Sequence, residues 1–139
     1  FFNERGQLHI YPQAASLLFA YQRKGAQLVM ITGSDDVIAR AYGQALGFAH
    51  VISNRLSTDG ERITGLERPM CYGPGKVELA RRFLTERGLS FTDAAFYTDS
   101  HSDMPLLEMV AQPVVLNPNP QLRQAAQQRG WPCLDWRAE

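Results

Sequence analysis

Three short apolar runs constrain this chain more than any other feature, because each stops at a cluster of polar residues that opens a helical pattern. Leu28-Val29-Met30-Ile31 stops at Thr32-Gly33-Ser34, Ala94–Thr98 stops at Asp99-Ser100-His101-Ser102-Asp103, and Val114-Val115-Leu116 stops at Asn117-Pro118-Asn119. A strand that is apolar at nearly every position fits burial on both faces, which is the situation of a parallel sheet covered by helices. Strands of this kind alternating with amphipathic stretches predict an α/β fold with a parallel sheet.

The intervening segments fill in the order. Residues 12–24 have helical spacing, with Pro12 in the first turn, Leu17, Leu18 and Tyr21 on one face, and Gly25 as C-terminal cap. Ser34 reads as the N-cap of a second helix, Asp35 and Asp36 as its acidic first turn, and Gly47 as its stop. A strand follows at His50–Ser53. Between Asn54 and Gly65 the Asp59-Gly60 pair signals a hairpin, read as a small two-stranded flap. A helix begins after Gly73-Pro74-Gly75, another carries Leu106, Leu107 and Val110, and a last one runs from about Gln121 to Arg129 before Gly130. A short edge strand is expected at Cys133–Trp136. The result is a three-layer, Rossmann-like α/β architecture, in which ligands bind beyond the carboxyl ends of the strands.

Three groups of residues fall at that end. Thr32-Gly33-Ser34 offers a hydroxyl and successive N–H groups at a strand-to-helix turn, the chemistry of an anion cradle or, equally, of a helix cap. Lys76 lies in the first turn of a helix, where the dipole disfavours a cation unless an anion sits nearby; a solvated lysine is the alternative. A nucleotide-binding P-loop is excluded, since Met70 stands where its first glycine would be and Val77 where its Ser or Thr would be. Asp99 and Asp103 follow a strand closely enough to approach one hard cation, and magnesium takes one or two carboxylates plus waters and phosphate oxygens; alternatively one of them caps the next helix. His101 reads as an exposed residue, because magnesium favours oxygen donors.

Together these motifs resemble the haloacid dehalogenase superfamily, in its phosphoserine-phosphatase-like branch, subfamily IB. Residues 29–34 look like the second motif of that family, Lys76 like its third-motif lysine, residues 96–107 like its fourth motif, and residues 114–122 with Gly130-Trp131-Pro132 like the tail of the branch. The resemblance implies a magnesium-dependent phosphomonoester hydrolase that works through an aspartyl-phosphate intermediate. It implies that Thr32, Lys76, Asp99 and Asp103 are catalytic, that Thr32, Gly33, Lys76 and Ser102 contact the substrate, and that Asp99 and Asp103 serve the metal, Asp103 through water or outer contacts. The partner it implies is a small phosphorylated metabolite.

The first motif of the family, Asp-x-Asp-x-Thr after an apolar strand, is not found; Asn3 and Arg5 stand where residues 2–8 keep part of its spacing. The expectation is that residues 1–11 are the end of a cap or linker, that residues 12–139 are the C-terminal part of the core, and that the first-motif strand and most of a helical cap are missing. Without that strand the runs at Leu28 and Ala94 would share no neighbour, and residues 1–139 alone are expected to be inactive. A catalytically inactive phosphate-binding or interaction module is the competing reading. A receiver-type signalling domain is a third, disfavoured by the flap and the paired aspartates. The 14 basic and 14 acidic residues cancel, which argues against nucleic acid or an anionic membrane as partner. Two widely spaced cysteines, Cys71 and Cys133, fit reduced thiols in the cytoplasm.

Overall fold

A computed structural model describes residues 12–136. The expectations for residues 1–11, both the cap segment and the partial first motif, lie outside the described residues. The elements run in the order α1 (Pro12–Arg23), β1 (Val29–Asp35), α2 (Asp36–Leu46), β2 (His50–Asn54), β3 (Leu56–Thr58), β4 (Ile63–Leu66), α3 (Pro74–Glu86), β5 (Ala95–Thr98), α4 (Met104–Leu107), β6 (Gln112–Leu116), α5 (Pro120–Arg129) and β7 (Cys133–Leu134). This is the expected α/β alternation with parallel strands.

The described strands form three separate groups. β1 pairs with β2 in parallel, β3 with β4 as an antiparallel hairpin, and β6 lies between β5 and β7 with both pairings parallel. β1 and β5 share no ladder, as expected for strands lacking a common neighbour. The hairpin is the expected flap: the Asp59 carboxylate accepts from the N–H groups of Glu61 and Arg62 and so shapes its turn.

One core cluster is centred on Leu107, Val115, Leu122 and Ala126, with Phe96, Met104, Trp131 and Cys133 packed against it. α2 covers the other ladder through Ala39 and Gly43. A Cβ at Gly43 would lie 2.5 Å from the Val51 side chain, so only glycine lets this helix approach β2 so closely.

Three local expectations are corrected. β1 continues through Thr32-Gly33-Ser34 to Asp35, and Asp35 rather than Ser34 caps α2, its carboxylate accepting from Ile38 N at 3.0 Å. Ser34 is instead engaged with Thr32, and the β1–β2 register shifts between Ile31 and Asp35. The helix after Asp103 is a single turn, because the chain leaves it at Glu108 and ties Ala111 N to Phe91 O on the way to β6; Val110 lies beyond it. The final strand covers only Cys133 and Leu134.

Candidate active site

The carboxyl ends of β1 and β5 carry the hydroxyl and carboxylate clusters, and the first turn of α3 carries the lysine. Thr32 Oγ1 accepts from Ser34 N at 3.2 Å and donates to Ser34 Oγ at 3.3 Å, so the hydroxyl is held in place and a ligand oxygen would have to take its proton from Ser34. Gly33 is exposed, and its carbonyl accepts from Asn54 Nδ2 at 2.8 Å. A Cβ at Gly33 would stand 3.4 Å from the Cys71 carbonyl, which brings the 70–75 segment against the Thr32 loop.

That segment shapes the approach to Lys76. Gly73 caps α3 at φ +51, a conformation that disfavours any side chain. Gly75 is more restrictive: a Cβ there would fall 1.9 Å from the Met70 carbonyl oxygen. The following residue, Lys76, is 7% exposed, and its ammonium donates to Asp103 Oδ1 at 2.8 Å. The other Asp103 oxygen accepts from Thr98 Oγ1 at 2.6 Å, with Asp103 and Thr98 both buried. The anion expected beside a first-turn lysine is therefore, in the first instance, Asp103. One ammonium donor is used in this way, and two remain.

Thr98 also accepts from Ser100 N, Ser100 Oγ accepts from Ser102 N, and the two serine hydroxyls lie 2.6 Å apart. Within this tightly bonded turn Asp99 is exposed, and its carboxylate takes no hydrogen bond or ion pair among the described residues. Asp99 is thus the free carboxylate of the turn and Asp103 the engaged one.

Three members of the network, Asn54, Cys71 and Thr98, were not among the residues expected from sequence. Asn54, 4% exposed, accepts from Cys71 N at 2.6 Å while it donates to Gly33. Cys71 is fully buried, its thiol 3.9 Å from Ile52 O and near the Thr32 backbone and the charges of Lys76 and Asp103. Burial pushes the thiol above its ordinary range, an effect that Lys76 and the Thr32 backbone partly offset. The Thr32 loop, Asn54, Cys71, Lys76, Asp103 and Thr98 are therefore one connected set. Asn54 ends a strand like any turn-forming residue, so its type alone did not distinguish it.

For a divalent cation the oxygen chemistry is suitable. One unpartnered carboxylate, Asp99, stands beside hydroxyls, and magnesium completes such a set with water and phosphate oxygens. Among the described residues no group of three or more His, Cys, Asp and Glu side chains gathers to hold a metal. Both Asp103 oxygens already have donors, which suits it to orienting Lys76 and the turn.

The chain is similar to several known proteins. The model of the haloacid dehalogenase-like hydrolase family matches residues 1–108. A histidinol-phosphatase of Neisseria meningitidis is 31% identical over 135 residues, which are 93% of this chain and 60% of that protein. The crystal structure of a Bordetella pertussis protein of unknown function superposes with a TM-score of 0.82 at 31% identity, covering 88% of this chain and 57% of its own. A substrate-bound phosphoserine phosphatase shares the fold, with a TM-score of 0.68 at 17% identity over 87% of this chain and 56% of that one. The chain spans about half the length of the curated relatives it matches.

Proposed function

Because the chain belongs to the haloacid dehalogenase-like hydrolases, we propose that it carries most of the phosphoryl-binding site of a magnesium-dependent phosphatase that acts on a small phosphomonoester. The activity is proposed for the whole protein, of whose relatives this chain spans about half. The observation that carries the reading is the buried Lys76–Asp103 pair at the first turn of α3. A lysine held this way points in one direction and has donors to spare for an anion.

In this reading Thr32 donates a hydrogen bond to a phosphoryl oxygen, with Gly33 leaving the backbone open to substrate. Lys76 offsets charge on the phosphoryl group and on the attacking carboxylate, Asp103 positions Lys76, and Ser102 contributes on the substrate side. Asp99 would hold magnesium, with Asp103 supporting the arrangement around it. Bound there, the ion would offset negative charge on the phosphate and the attacking group. Transfer to an aspartate and release by water divides the reaction into two easier steps.

The test is phosphate release from p-nitrophenyl phosphate by the full-length protein, with and without magnesium, beside an Asp99→Asn variant. Metal-dependent turnover that the variant loses supports the reading. A full-length protein that binds inorganic phosphate yet turns over no phosphomonoester would make it an inactive binding module instead. None of the described helices is long and apolar enough to cross a membrane.

A further inference from the structure

We infer that Asn54 is a positioning residue, which sets the orientation of the Thr32–Ser34 cradle and its spacing from the Lys76 helix. The inference rests on the phosphatase reading for its purpose, but its geometry stands independently. Asn54 is the last residue of β2 and is nine-tenths buried or more, so its amide is bonded at both ends or costly. The Nδ2 group donates to Gly33 O at 2.8 Å, and Oδ1 accepts from Cys71 N at 2.6 Å. No other side chain of this size both donates and accepts at fixed positions without changing charge.

Each bond has a consequence for the site. The Gly33 carbonyl and the Ser34 N–H belong to one planar trans peptide and point in opposite directions. Pinning the carbonyl to Asn54 therefore turns the Ser34 N–H toward Thr32 Oγ1, which it reaches at 3.2 Å. With that lone pair occupied, the Thr32 hydroxyl acts as a donor, here to Ser34 Oγ at 3.3 Å, and a phosphoryl oxygen would take the place of that acceptor. The second bond anchors the 70–75 segment just ahead of α3, five residues before Lys76. One amide thus ties together the hydroxyl and the ammonium that the proposed function brings onto a single phosphate.

Asn54→Asp separates the two bonds. A carboxylate can still accept from Cys71 N–H but sets a lone pair against the Gly33 carbonyl; once protonated, it can donate to that carbonyl again. In the full-length protein, the KM for p-nitrophenyl phosphate and the inhibition constant of inorganic phosphate should rise about tenfold at alkaline pH, the equivalent of one lost hydrogen bond. The difference from wild type should narrow as pH falls and the buried carboxyl gains its proton, while the magnesium activation constant stays as in wild type. Asn54→Leu should show the loss at every pH. Wild-type constants in the Asp variant, a loss independent of pH, or failure of that variant to fold would each overturn the inference and leave Asn54 a structural residue only. Should the wild-type protein lack turnover, calorimetric phosphate binding ranks the same variants. Weaker binding in the Asp variant then sustains the inference although the phosphatase reading falls. Equal binding, or none in wild type, overturns it.

Discussion

Removing the Asp103 carboxylate should destabilise the protein severely, and removing its partner as well should restore most of the loss. In Asp103→Ala the Lys76 ammonium keeps its buried position, with a side chain only 9% exposed, but loses its counter-ion; Thr98 loses its acceptor at the same time. Stripping one partner from a buried pair costs about 3–5 kcal/mol, because the remaining charge is uncompensated. For a urea slope near 2 kcal/mol/M, a loss of about 4 kcal/mol lowers the denaturation midpoint by about 2 M. An apolar pair of similar volume removes both desolvation costs, so Lys76→Met with Asp103→Leu should recover most of that shift. The double variant should still release no phosphate, since it lacks the cation. Urea unfolding of the full-length wild type, Asp103→Leu, Lys76→Met and the double variant gives the coupling energy, and turnover is read on the same samples. If Asp103→Ala costs less than about 1 kcal/mol, the value of an exposed pair, the pair is not desolvated and the reasoning from burial is wrong.

Two further outcomes follow from single contacts. Gly75→Ala places a Cβ 1.9 Å from the Met70 carbonyl, so the backbone ahead of Lys76 must shift; a stability loss of about 1–3 kcal/mol with a raised KM is expected, and a variant indistinguishable from wild type in urea unfolding would contradict it. The Tyr97 phenol is pushed from 10.0 up to about 12, chiefly by burial and then by its hydrogen bond with Tyr21. A raised acid pKa favours the protonated fold, so its stabilisation is complete below pH 10.0 and is lost as pH rises through about 12. Thermal midpoints across that window should fall more steeply in wild type than in Tyr97→Phe; parallel curves would refute the assignment.

Much of the fold was legible because each strand announces itself twice, once by its apolar run and once by the polar cluster that ends it. The caps at Gly47 and Gly130 were readable for a similar reason, since both residues take the left-handed conformation that favours glycine. Local signals failed where a competing hydrogen bond displaced them. Ser34 has the chemistry of an N-cap, but its hydroxyl and N–H are taken by Thr32, and Asp35 caps in its place. Val110 continues a helical pattern that Ala111 breaks by bonding to Phe91, remote in sequence. At the site, the residue types announced anion chemistry without announcing how they are held. Asp99 and Asp103 look equivalent in sequence. Only the fold separates them, by placing Lys76 and Thr98 on one and leaving the other to solvent.

The two ladders are held together largely by the groups that form the site. β1 and β5 exchange no backbone hydrogen bonds, so each ladder is cohesive within itself. α3 spans the two. Its Phe83 ring meets His50 of β2 edge-on at 5.3 Å, the helix also packs on α4, and its first turn is locked to Asp103. Asn54 fastens the lead-in to α3 onto the end of β1, and the Tyr21–Tyr97 hydroxyl contact at 2.8 Å ties α1 to β5. Several of these links are polar and buried, so each is strong when complete and costly when one member is lost. A substitution that frees Lys76 for catalysis in isolation would therefore also loosen the joint between the halves. Turnover and resistance to unfolding should fall together for substitutions within this set, and independently for substitutions at Val115, Leu122 and Ala126 of the core, which lie on β6 and α5 and not on the elements of the joint.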